Sequence, residues 1–157
     1  MFQPFNFVFY RGNSWISRII KLFTKGQYSH VALMLDHIHI LQTDYKTPVS
    51  IQHFNYKSKS YDVYELAIEL TEQQKKLLID YIKVNLSDKY DWKYIITRAL
   101  NILFGTPVIK SKGQVNCDEL IVDGFREKLG IDLLDPTVLL SPTSLSTSRY
   151  LKKLTAE

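Results

Sequence analysis

The feature that most constrains this chain is the segregation of its hydrophobic periodicities. Up to residue 66 the apolar residues fall mainly in short runs rich in aromatic and β-branched side chains, whereas from residue 71 they recur at helical spacing. Five segments read as strands: Phe5–Tyr10, Tyr28–Leu35, Ile38–Asp44, Pro48–Phe54 and Tyr61–Leu66. Asp36 and His37 form the turn between the second and third, and Lys57–Ser60 a polar turn before the last. One helix interrupts them. Asn13 or Ser14 caps it, Ile16, Ile19, Ile20 and Phe23 recur at i, i+3, i+4, i+7, and Gly26 stops it.

Beyond residue 70 the pattern is helical. Thr71 and Gln74 form a capping box for a helix through Leu86 with a core face of Leu77, Leu78, Tyr81 and Ile82. A loop, Ser87–Asp91, leads to a helix over Trp92–Phe104. A Gly-Pro loop, Gly105–Val115, then precedes a helix over Asn116–Leu129 that Gly130 ends. Ser141-Pro142, an N-cap followed by proline at the first helical position, opens a last helix to about Leu154. Strands first and helices second predict an α+β fold, a central antiparallel sheet packed against helices, rather than βαβ winding. No repeat or linker divides the chain, so residues 1–157 read as a single domain.

With 45% apolar and 23% charged residues, the chain has enough apolar surface to offset the entropy of ordering, which excludes a disordered protein. The single cysteine, Cys117, excludes an intramolecular disulfide framework and a Cys-cluster zinc site. The compartment is expected to be reducing, or the thiol is kept for chemistry. No secretory signal or membrane span is visible, which sets a cytoplasmic expectation. The net charge of +4 is spread over scattered pairs such as Lys57 and Lys59 or Lys152 and Lys153. Such pairs read as solvated surface, not as the continuous stripe of a specific nucleic-acid binder.

The lone cysteine falls where chemistry wants one. With Asn116 as N-cap and Glu119 three residues on, Cys117 occupies the first turn of a helix. The free N–H groups and the dipole there stabilise a thiolate and can hold an oxyanion. The competing reading is a small buried hydrophobe. A thiolate needs a proton acceptor, and of His30, His37, His39 and His53 only His30 lies inside an apolar strand, YSHVALML. Gln42 on the next strand shares its face if the connection has three residues, Asp36 to Ile38, which pairs Ala32 with Gln42. A two-residue turn puts Gln42 on the opposite face. Asp44 has the same parity as Gln42 and is the other candidate to orient the imidazole.

YSHVALML, the step from His30 to Gln42 and the downstream NCDELIVDGF together resemble the circularly permuted papain-like cysteine hydrolases. These are the permuted NlpC-type group with its YiiX-like members, and NCDELI is also similar to the motif of lecithin:retinol acyltransferase-like proteins. The resemblance implies Cys117 as nucleophile, His30 as general base and then general acid, and Gln42 as the residue orienting His30. Many relatives carry Glu or His at that third position, and a neutral amide fixes geometry without balancing an imidazolium. Tyr90, in YDW, matches the segment that helps form the oxyanion and substrate site. Asn116 stands where peptidoglycan-cleaving relatives have an aspartate that binds a substrate amine. Arg11, beside the family's opening turn, is placed to contact a carboxylate or phosphate.

The implied activity is acyl transfer through a thioester, by an amidase, peptidase or acyl hydrolase without cofactor or metal. The implied substrate is a peptide, a peptidoglycan fragment or a lipid-like molecule, and the stretch with Phe104, Val108 and Ile109 would admit a lipid chain. The alternatives are a catalytically inert papain-like binding module and a lipid acyltransferase.

Overall fold

A computed structural model describes residues 2–42, 50–57, 59–85 and 117–154, with the backbone only at Ile16 and Cys117. Its elements in chain order are β1 (Phe7–Tyr10), α1 (Trp15–Phe23), β2 (His30–Met34), β3 (His39–Gln42), β4 (Ser50–His53), β5 (Tyr61–Leu66), α2 (Glu72–Val84), α3 (Cys117–Leu129), α4 (Pro142–Leu145) and β6 (Leu151–Lys153). The fold is α+β: one antiparallel six-stranded sheet in the order β4-β3-β2-β1-β5-β6, with four helices among the described residues.

Alternation along the strands separates two apolar layers. Phe7 and Phe9 of β1, Val31 and Leu33 of β2, Leu41 of β3 and Tyr64 of β5 face α2 and α3, which contribute Leu78, Ile82, Leu120, Ile121, Val122 and Phe125. Val8, Ala32, Met34, Ile40 and Val63 point the other way and pack with Phe54, Phe2, Tyr56 and Tyr61. At one end of the sheet Tyr10 pairs with both His30 and Tyr61; Phe7 lies toward the other.

The connection between β2 and β3 has three residues. Leu33 pairs with Leu41 and Met34 with Ile40, and the Leu35 N–H donates to the His39 carbonyl at 2.9 Å. Asp36 dictates this length: its Oδ1 accepts from the backbone of Ile38 at 2.8 Å and His39 at 2.7 Å. The same carboxylate bonds His39 Nδ1, and the backbone bond to Ile38 followed by the one to His39 Nδ1 holds its pKa down at about 2.

Several local expectations need correction. Ser14, not Asn13, caps α1, and the positive-φ residue after that helix is Lys25, not Gly26. Leu77 is exposed rather than part of the core face of α2, where Leu78 and Ile82 are buried. The last helix is a single turn, and Leu151–Lys153 is an edge strand on β5. The hydroxyls after α4 turn back on carbonyls, Ser146 to Thr143 and Thr147 to Ser144, both at 2.7 Å, and Ser148 to Leu133. The helix expected over Trp92–Phe104 and the loop over Gly105–Val115 lie outside the described residues.

Candidate functional site

His30 opens β2, and the three-residue connection brings Gln42 onto its face. The two meet at 3.3 Å, His30 Nε2 to Gln42 Oε1. Through this contact the Gln42 amide aims the imidazole ring. Gln42 Nε2 donates to Gln52 Oε1 at 2.7 Å, and Gln52 Nε2 donates to Ser50 Oγ at 3.0 Å. This relay across β3 and β4 follows from the pairings of Ile40 with Gln52 and Gln42 with Ser50. Sequence reasoning missed Gln52 and Ser50. Their shared parity within SIQH was the available signal, but the register against β3 was needed to use it.

Cys117 is the first residue of α3, and Asp118 and Glu119 follow it in the first turn. The helix runs along the sheet with its C-terminal half toward the Phe7 end. Phe125 stacks near Phe7 with ring centroids 5.8 Å apart. The Leu133 carbonyl, beyond the helix, accepts from Ser148, just ahead of the strand that pairs Leu151 with Leu66. From residue 125 back to residue 117 the axis rises about 12 Å, and β1 advances about 10 Å from Phe7 to Tyr10. The N-terminus of α3 thus lies about 12 Å along the helix from the Phe125–Phe7 contact. The helix packs on the Val31 and Leu33 face, whereas His30 shares parity with Ala32 on the other.

Arg11 stands at the same end and is engaged internally. Its guanidinium pairs with Asp62 and reaches the Lys59 carbonyl at 3.4 Å. Asp62 is nearly buried and also accepts from Tyr28 Oη at 2.5 Å and Lys153 Nζ at 3.0 Å. Burial raises the Asp62 carboxyl, but the hydrogen bonds from Tyr28 and Lys153 and the charges of Arg11 and Lys153 outweigh it, so its pKa is lowered. Burial, followed by the bond to Asp62, pushes the Tyr28 hydroxyl far up, which keeps it a donor. Tyr90, Asn116, Asp44 and the apolar stretch with Phe104, Val108 and Ile109 lie outside the described residues.

Among the described residues no group of three or more His, Cys, Asp or Glu side chains is arranged to hold a metal ion. The nearest approach is His39 and His53, cross-strand partners with ring centroids 6.0 Å apart, with the Asp36 carboxylate bonded to the first. No described helix is long and apolar enough to cross a membrane.

No family model matches the sequence, and no curated protein matches it. Among solved structures the chain is similar to the metalloprotein yiiX from Escherichia coli. The TM-score is 0.74 at 16% identity, covering 99% of this chain and 97% of that one. At that identity the likeness establishes a shared YiiX-like fold.

Proposed function

We propose that this protein is a cysteine-dependent hydrolase of the permuted papain-like type, with Cys117, His30 and Gln42 as its reacting group. The observation that carries the reading is the 3.3 Å bond from His30 to Gln42, the pair expected beside the thiol. Gln42, itself bonded to Gln52, aims the His30 imidazole, which serves as the base for the thiol. His30 takes the proton of Cys117 and the thiolate adds to the carbonyl carbon of an ester or amide. The oxyanion meets the N–H groups of the first turn of α3. On collapse the C–O or C–N bond breaks and the imidazolium gives its proton to the leaving group. Water then attacks the thioester, loses a proton to His30 and frees the acid, restoring the thiol. Tyr90 and Asn116 would line the substrate side, as the resemblance suggests. Arg11 would contact substrate only by leaving Asp62.

A second reading, a binding module with an inert thiol, is favoured by one observation: His30 shares strand parity with Ala32, whereas α3 packs on the Val31 and Leu33 face. Turnover of activated acyl esters and of acyl amides decides between them. Cys117→Ala is expected to abolish turnover and the acyl adduct seen by mass spectrometry in the wild type, with an unchanged unfolding midpoint. Activity retained in Cys117→Ala rejects the hydrolase mechanism.

A further inference from the structure

Helix α1 is amphipathic in the wrong sense for a helix that serves a core. Its most buried residue is polar: Ser17 is 8% exposed and packs on Gly12, where an added Cβ would lie 2.2 Å from the Ser17 hydroxyl oxygen, while Ile20 and Phe23 are half-buried. Its outward side is apolar. Trp15, Ile19 and Leu22, at i, i+4 and i+7, form one line and are 69%, 37% and 73% exposed. Neither apolar layer of the protein includes a described side chain of α1.

The charge around this stripe is one-sided. Residues 11–27 contain Arg11, Arg18, Lys21 and Lys25 and no Asp or Glu. Arg11 is neutralised by Asp62, whereas none of the other three forms an ion pair with a described carboxylate. Arg18 and Lys25 are exposed on the flank of the stripe. Trp and Leu facing out beside unpaired cations is the composition of a helix that lies in a bilayer interface. A second copy of this chain would bring like charges together, whereas an anionic leaflet neutralises them.

We propose that α1 docks the protein on an anionic lipid bilayer, Trp15, Ile19 and Leu22 entering the headgroup–acyl boundary and Arg18, Lys21 and Lys25 meeting lipid phosphates. Each cation near such a surface strengthens binding roughly fivefold. The docking stands on α1 alone.

The test is flotation of the full chain with vesicles of phosphatidylcholine and with vesicles of phosphatidylcholine mixed equally with phosphatidylglycerol. The wild type is expected to float with the anionic vesicles at least roughly tenfold better, and added salt should erode the difference. Trp15→Ser with Leu22→Ser should lower vesicle binding at least roughly tenfold. Both positions are exposed, so an unchanged circular dichroism spectrum and unfolding midpoint will show that the fold survives. Arg18→Glu with Lys25→Glu should remove the preference for anionic lipid. Cys117→Ser should float as the wild type does, which separates docking from thiol chemistry. A wild type that stays unbound, or variants that float equally well, overturns the proposal. So does a dimer that the Trp15→Ser, Leu22→Ser pair dissociates while no protein floats, since α1 would then be a contact between copies.

Discussion

Asp62 ties three parts of the chain to one carboxylate: Arg11 after β1, Tyr28 before β2 and Lys153 on β6. Nothing in YDVYEL marks it for this. A single aspartate in an alternating strand is as compatible with the wet face as with the dry one. Only the pairing of Asp62 with Phe9 turns it toward the helices. Its lowered pKa has a definite sign in stability. The contribution is fully present above the unfolded value of about 3.9 and is lost as pH falls through the lower folded value. Asp36, also lowered, adds a term of the same sign. Asp62→Asn is therefore expected to cost about 1–3 kcal/mol at neutral pH and to flatten the fall in unfolding midpoint on acidification. The slope contributed by Asp36 should remain. Urea titrations at a series of pH values test this, and an acid limb that superimposes on the wild type would refute the assignment. His30 was more legible: an imidazole inside an apolar strand needs a partner, and parity narrowed the choice to two registers. Turn length decided between them, and turn length is set by what the Asp36 carboxylate bonds.

The helices were easier to locate than to finish. The capping box at Thr71 and the N-cap at Ser141 form as the sequence suggests, and at Ser141 the structure adds a reciprocal bond from Ser144 that the sequence reading did not contain. Helix ends depend on what lies beyond them. At the end of α1 the Lys25 N–H bonds the Leu22 carbonyl at 3.3 Å and the Gly26 N–H bonds the Lys21 carbonyl at 3.0 Å, and Lys25 adopts φ 48°. Glycine is at position 26 for a tertiary reason. A Cβ there would lie 2.0 Å from Oγ1 and 2.4 Å from Cβ of Thr143, whose hydroxyl accepts from the Tyr28 N–H at 3.1 Å. The two neighbours should thus respond in opposite directions. Gly26→Ala is expected to destabilise by about 1–3 kcal/mol, and Lys25→Gly to stabilise by about 1 kcal/mol through relief of the left-handed conformation. Denaturant midpoints measure both, and a tolerated Gly26→Ala would mean that the 142–145 turn does not press on this loop. A similar dependence on distant partners hid β6: LKK has no strand pattern of its own and becomes one by pairing with the edge of β5.

Across the whole molecule, the α+β class and the antiparallel sheet were legible because period-2 and period-3.6 segments are separated along the chain. How faces and ends combine was not, since parity says which residues share a face but not which helix covers it. The outcome is a sheet with α3 packed on one face and the His30–Gln42 pair at its Tyr10 end. That arrangement makes the interaction of the thiol with the imidazole a measurable quantity. Because the chain has one cysteine, the pH dependence of iodoacetamide labelling reports Cys117 alone. If thiolate and imidazolium form a pair around the sheet end, the wild-type midpoint should lie well below the free-thiol value of about 8.5. His30→Ala should then raise it by about one unit or more, corresponding to about 1.4 kcal/mol of lost pairing. Gln42→Ala should raise it less, because the amide only aims the ring. A His30→Ala profile identical to the wild type, in a variant with the native unfolding midpoint, would mean that the sheet end keeps the two groups apart. The thiol would then owe its chemistry to α3 alone.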